Sequence, residues 1–427
     1  MDYSTTRTLP GPEDIHRQVL DNGIVLLSRT HPQSPSAVFS GYLPAGSMFD
    51  SPELLGLAHF TALSLMRGTA QRSFEKLFDE LETAGASLGF GASVHNVNFG
   101  ARSLAEDLPL TLSMLSEVLS EPIFPSEQIE RLRGQILSSL AIRAQDTEEV
   151  SSLRFDELLF KGHPYANPED GFPETIRRIT RDNIVDFHRV HYSPTGMVLV
   201  VVSPFPADRV ADMVKSTLEP WSNPISPQEV HFPEVTPPVQ PIREHIFLDG
   251  KTQVDVVLGG LGPKRNDPQF LAASLGNNIL GNFGMMGRIG EAVREKAGLA
   301  YYAATSLNAW ISAGSWEINL GVNPANVSRA IDLVLGEIKR FTSEPVTEEE
   351  LRDSQMNYIG RLPLSFESNN GVASGLLNIE RFQLGLDYYQ RYPQRINVVK
   401  TGEVLEIAKH YLNPEHFITI SAGSQIP

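Results

Sequence analysis

Two side chains, Arg294 and Tyr301, carry the most specific chemistry in this sequence, within the stretch REKAGLAY. Helix-forming residues run from Arg288 to Lys296, Gly298 stands where a helical C-cap belongs, and a strand pattern follows. Arg294 then falls on the last helical turn and Tyr301 at the start of the strand, with the reversal between them. A guanidinium and a phenol brought to one spot can hold a carbonyl oxygen as it becomes negative. The same residues also suit an arginine complementing a helix C-terminus and a half-buried strand tyrosine, and the local pattern leaves both readings open. Just upstream, Gly281, Gly284 and Gly287 predict a flexible loop leading into the helix.

The elements that must position this pair follow from periodicity. Around the Asp-Asn-Gly turn signal, QVLDNGIVLLSRT reads as paired strands, and SAVFSGYLPAGS continues the β pattern. Ser51-Pro52-Glu53 predicts the start of an almost wholly apolar, buried helix, LLGLAHFTALSLM. Strands over 87–103 and helices over 107–120, from Ser126, and over 149–160 come next, and MVLVVVS at 197–203 reads as a buried strand. The helix from Ser126 carries Ile129, Leu132, Ile136 and Leu140 on its inner face. Six prolines between Ser222 and Glu244 mark a stiff extended linker. Beyond it the order of patterns repeats, and the two endings correspond: HRVHYSPTGMVLVVVS in the first half, AKHYLNPEHFITISAG in the second. The expected organisation is a domain over 1–221, a linker over 222–244 and a homologous domain over 245–427. The fold class is α+β, two copies of one unit.

Composition narrows the function. The 427 residues carry 35 basic and 51 acidic side chains, a net charge of −16, with no basic block to offset it. Nucleic acid and anionic membrane surfaces are poor partners for such a chain. Without cysteine it has neither disulfides nor thiolate metal sites. No apolar run approaches the roughly 18 to 20 residues that cross a bilayer, and the start has no signal-peptide pattern, so a soluble cytoplasmic protein is expected.

Taken in order, AGSMFDSPELLGLAHF followed by RGT, GHPYANPEDG, HYSPTGMVLVVV and LGNFGMMGRIGEAVREKAGLAYY resemble segments of the pitrilysin or insulinase family of zinc peptidases. The likeness is to its short, mitochondrial-processing-peptidase-like bacterial members. It implies two homologous domains per chain, each a mostly antiparallel sheet flanked by helices, and a pair of chains enclosing a peptide chamber. In active members the helix written here His59-Phe60-Thr61-Ala62-Leu63 reads His-x-x-Glu-His. Residues four apart share a helical face, so two imidazoles hold one zinc while the Glu activates its water. This chain keeps His59 but has Ala62 in place of the base and Leu63 in place of the second imidazole. Where a third ligand, a Glu on a later helix, is expected, it offers Ser138, Ser139 and Leu140. One ligand of three does not make a catalytic zinc site, so no metal is expected in this chain. His188 and His191 are expected to bond backbone or fill a domain face.

The family's Arg-x6-Tyr pair, which binds substrate and steadies the tetrahedral intermediate, matches Arg294 and Tyr301. Its glycine-rich loop matches Gly281, Asn282, Phe283 and Gly284, which the resemblance implies contact the peptide. The resemblance therefore implies the non-zinc subunit of a heterodimeric metallopeptidase, inactive alone, with zinc in a homologous HxxEH-containing partner and a peptide as substrate. The alternative it leaves is an inactive structural or peptide-binding homodimer, resembling respiratory-complex core subunits.

Overall fold

The computed structural model describes residues 9–225, 230–282 and 287–427. The chain divides into two compact units. One combines the chain up to Leu140 with Pro168–His231 and Leu362–Arg391; the other combines Ala141–Asn167 with Phe232–Arg361 and Tyr392–Pro427.

In the first unit the strands are β1 (Ile15–Val19), β2 (Val25–Thr30), β3 (Ser36–Leu43), β4 (Ser87–Ala92), β5 (Val97–Leu104) and β6 (Val198–Ser203), in the order β1-β2-β6-β3-β5-β4. The second unit holds β7 (Ile242–Phe247), β8 (Val254–Gly262), β9 (Ala300–Ala309), β10 (Gly314–Val322) and β11 (Ile418–Gly423), ordered β7-β11-β8-β10-β9. The repeat is visible in the pairing. In each unit an early strand runs parallel to the last one, β2 with β6 and β7 with β11, and every other pairing is antiparallel. β4 and β9 are equivalent open edges.

The last strand of each unit is buried at every residue, so neither face meets water. A strand buried on both sides needs a layer of side chains on each. One layer is local: Leu199 and Val201 join the core built from the helices Leu57–Ser64, Leu108–Ser120 and Ser126–Arg143. The opposite layer is supplied by the other half of the sequence. Helix Asn369–Arg381 packs on β3 and β6, and helix Thr147–Leu159 packs on β8 and β11.

Polar contacts fix both exchanged helices. Glu380 accepts two hydrogen bonds from Arg17 on β1, at 2.9 and 2.7 Å, and the Arg381 guanidinium lies 4.6 Å from the Tyr42 ring centre. In the second unit Arg154 donates to both oxygens of Glu244 on β7, at 2.8 and 3.0 Å, and Thr147 donates to the buried carboxylate of Asp255.

Leu376 on helix Asn369–Arg381 is fully buried. Leu376→Ala is expected to cost about 2–5 kcal/mol and, in hydrogen exchange, to loosen β3 and β6 rather than the sheet of its own half of the sequence. Loss of protection confined to β8 and β11 would contradict this packing.

Candidate functional site

The helix Leu57–Ser64 begins later than its sequence suggests. Ser51 does not cap it; residues 51–56 form turns, and the Asp50 carboxylate accepts from the Gly56 and Ala58 amides at 2.9 Å each. Burial pushes the Asp50 carboxyl up to about 7. Phe60 and Ala62 are driven into the core, while His59 and Leu63 are half-buried.

His59, Ala62 and Leu63 line one cleft of about 340 Å³, as the helical spacing requires. From Ser126–Arg143 the cleft receives Gln135, Ile136 and Ser139. Of the three residues offered for a third ligand, only Ser139 reaches it: Ser138 donates to the Gly134 carbonyl at 2.9 Å, and Leu140 is core. The donor chemistry does not fit a zinc ion. A methyl group and an isobutyl group stand beside one imidazole, and among the described residues no three His, Asp or Glu side chains gather into a metal-binding group.

His188 and His191 are packed into the fold. His188 Nε2 lies 2.9 Å from the Leu119 carbonyl, His191 stacks on Phe49 at 4.3 Å, and burial holds both imidazoles down at about 4. Missed from the sequence were Arg67 and Asp170, which also line the cleft. Arg67 follows the zinc-motif helix within the RGT segment, but nothing in its spacing told which way its side chain turns.

In the second unit, the helix carrying Arg294 has a wider hydrogen-bond repeat over Gly290–Lys296, a π-helical segment. The Lys296–Glu291 ion pair, at 2.8 Å, spans five residues. Gly298, at φ +63°, ends the helix as expected: its amide donates to the Arg294 carbonyl at 3.0 Å, a left-handed C-cap. The chain then enters β9, which packs against this helix.

Register explains how Tyr301 is displayed. Gly321 pairs with Tyr302 and Val322 with Ala300, so Tyr301 is the extra residue of a β-bulge. Its neighbour Tyr302 turns inward, donates to Asp255 at 2.9 Å, and has its phenol pushed up by burial and by that carboxylate. Tyr301 is 62% exposed, and among the described residues its hydroxyl has no hydrogen-bond partner. The Arg294 side chain is 39% exposed, with Glu295 at 3.9 Å. A solvent-facing edge position thus replaces the half-buried strand tyrosine that the sequence also allowed.

The glycine loop is only partly described. Phe283 and Gly284 lie outside the described residues; Asn282 is exposed and Gly281 buried. Gly281 and Gly287 bring the two ends of the loop into backbone contact, since a Cβ on Gly287 would lie 2.6 Å from Gly281 Cα. Arg288, immediately after, is anchored by Glu350 at 2.7 and 2.8 Å.

The chain is thus built of two repeated α+β units, the first with His59, Ala62 and Leu63 on one helical face and the second with an exposed tyrosine on its edge strand. A model of insulinase, peptidase family M16, matches residues 24–168, and a model of the peptidase M16 inactive domain matches residues 178–358. The chain belongs to this family.

It is 26% identical over 366 residues to an uncharacterized zinc protease of Streptomyces coelicolor, covering 84% of this chain and 78% of that protein. It is 23% identical over 372 residues to the mitochondrial-processing peptidase subunit beta of Saccharomyces cerevisiae, covering 84% and 80%. The fold matches the crystal structure of a peptidase M16 inactive domain from Pseudomonas fluorescens with a TM-score of 0.90 at 24% identity, over 97% of this chain and 98% of that one. Of the family's inverted zinc motif the chain keeps His59 and has Ala62 and Leu63 in place of the base and the second imidazole. Among the described residues no helix is long and apolar enough to cross a membrane.

The anchor beside the glycine loop has a pH signature. Hydrogen bonds from Arg288 hold the Glu350 carboxyl down at about 2. Because the folded value lies below the ordinary one, the contribution is present above the ordinary carboxylate range and is lost as pH falls toward 2. Glu350→Gln should lower the urea midpoint at neutral pH, with the gap from the parent protein narrowing between about pH 5 and about pH 3. A constant gap would rule out the ion pair as its source.

Proposed function

We propose that this chain is the non-zinc-binding subunit of a heterodimeric zinc metallopeptidase, supplying Arg294 and Tyr301 to a site whose metal and base come from a homologous HxxEH-containing partner. One observation carries the reading: Tyr301 occupies a β-bulge on an open sheet edge, and its hydroxyl is not consumed by the fold among the described residues. A tyrosine with only a structural task is usually half-buried with its hydroxyl bonded. The family match and the processing-peptidase relative support the peptidase setting of this reading.

In this reading the partner's zinc supplies the activated water, and the substrate is an extended peptide. Tyr301 donates a hydrogen bond to the scissile carbonyl oxygen as negative charge builds there, and Arg294 orients that oxygen or the adjoining carbonyl. The backbone under both groups is fixed before substrate arrives: Gly298 ends the helix under Arg294, and Tyr302 bonded to Asp255 holds the strand under Tyr301. Preorganised donors of this kind are effective because they need little reorientation during reaction. Asn282, Phe283 and Gly284, following Gly281 at the neck of the loop, are assigned to peptide contact. The chain's own lack of ligands makes it inert alone, and a cytoplasmic location is the setting expected from its sequence.

Mixing separates this reading from a scaffold or a peptide-binding homodimer. The purified chain should cleave no peptide, and addition of an HxxEH-containing partner should produce activity. Tyr301→Phe should reduce that activity roughly 100- to 1,000-fold while leaving the assembled mass in analytical ultracentrifugation unchanged. Full activity with Tyr301→Phe would refute the role. Assembly without peptidase activity, using a partner with an intact motif, would favour the scaffold.

A further inference from the structure

The cleft beside His59 is unsuited to a metal, yet it contains an uncompensated charge. Arg67 stands at its wall on the short turn Leu65–Arg67. Its Nη2 donates to the Gln135 side-chain carbonyl at 2.8 Å, and its guanidinium lies 5.0 Å from the centre of the Phe74 ring. No carboxylate among the described residues pairs with it. Burial lowers its pKa from the ordinary value, with no neighbouring charge acting to hold it up. Asp170 reaches the same cleft, but it is engaged in an interaction of its own and does not act on Arg67.

Arg67 is half-exposed, with an amide and a ring for company and no counter-charge among the described residues, and an anion entering the cleft can complete it. The planar fork of a guanidinium matches a carboxylate with two parallel hydrogen bonds. Around it the walls are apolar, with Leu63, Phe90 and Ile136 close by, and Ser139 sits at the rim. The volume of about 340 Å³ lies at the small end of ligand sites, enough for one apolar side chain with its carboxylate. Leu88, Gly89 and Phe90 belong to β4, the open edge of the sheet, so main-chain groups at the rim remain available to an extended backbone.

We infer that this cleft, at the position of the degenerate zinc motif, is a carboxylate-binding site for a peptide, with Arg67 pairing the carboxylate and the cavity taking the adjoining apolar side chain. The inference does not rest on the roles of Arg294 and Tyr301.

The test is fluorescence anisotropy on the full chain, using a dansylated Ala-Ala-Leu tripeptide with a free C-terminal carboxylate, the same peptide as its C-terminal amide, and a dansylated Ala-Glu-Leu amide. The acid should bind at least about tenfold more tightly than the Ala-Ala-Leu amide, the size of one charge-assisted contact. Arg67→Gln should bring the two to equal affinity, and Ser139→Trp, an exposed rim position, should block both without disturbing the far-UV circular dichroism. If the Ala-Glu-Leu amide matches the acid and also loses its advantage in Arg67→Gln, the carboxylate is a side chain's and the assignment stands. Equal binding of acid and Ala-Ala-Leu amide by the parent protein, an advantage that survives Arg67→Gln, or no binding by any of the three peptides would overturn it.

Discussion

The structure depends on one constraint: β6 and β11 are buried on both faces, so each sheet must be covered twice. A parallel pair such as β2 with β6 cannot close through a tight hairpin and leaves its last strand inside the sheet. One cover comes from helices of the same half of the sequence, the other from a single helix contributed by the opposite half. Each unit is therefore incomplete as a continuous stretch of chain. The helix Ser126–Arg143, which walls the cleft beside His59, runs directly into the segment that completes the second unit.

That architecture leaves equivalent edges exposed, and the two copies have diverged at them. In the first unit the edge strand β4 lies beside a helix with Ala62 and Leu63 where the family has a base and an imidazole, and the cleft there holds Arg67, which pairs with no carboxylate among the described residues. In the second unit the edge strand β9 bulges outward at Tyr301, while Tyr302 is committed to Asp255. A buried carboxylate accepting from Tyr302, Gln253 and Thr147 makes a rigid base for the bulge. Rigidity beneath an exposed phenol is what oxyanion stabilisation asks for, because a donor that must reorganise loses much of its effect.

Much of this was legible in the residues. The duplicated Pro turn and buried strand, in HYSPTGMVLVVVS and HYLNPEHFITISAG, recorded the repeat, and Gly298 recorded the helix end to the residue. The face shared by His59, Ala62 and Leu63 followed from helical spacing and lines a single cleft. The exchange of helices was not read, although MVLVVVS held its trace: a strand without polar alternation announces a second cover, but not which helix provides it. The start at Ser51 was misplaced because the true cap, Asp50, acts from outside the helical pattern through a turn. The bulge at Tyr301 is a matter of register between β9 and β10, which no single strand's periodicity contains. Nothing in the spacing marks Arg67: what distinguishes it, the lack of a paired carboxylate among the described residues, is a property of its surroundings.

The central claim is that Tyr301 faces bound peptide in an assembled enzyme. It is tested most directly by placing the photoreactive residue p-benzoylphenylalanine at position 301, assembling the chain with an HxxEH-containing partner whose base has been removed, and irradiating with a labelled peptide substrate. The account predicts a crosslink between this chain and the peptide that an unlabelled substrate competes away. A crosslink only to the partner chain, or none to peptide under conditions where the peptide is bound, would contradict it.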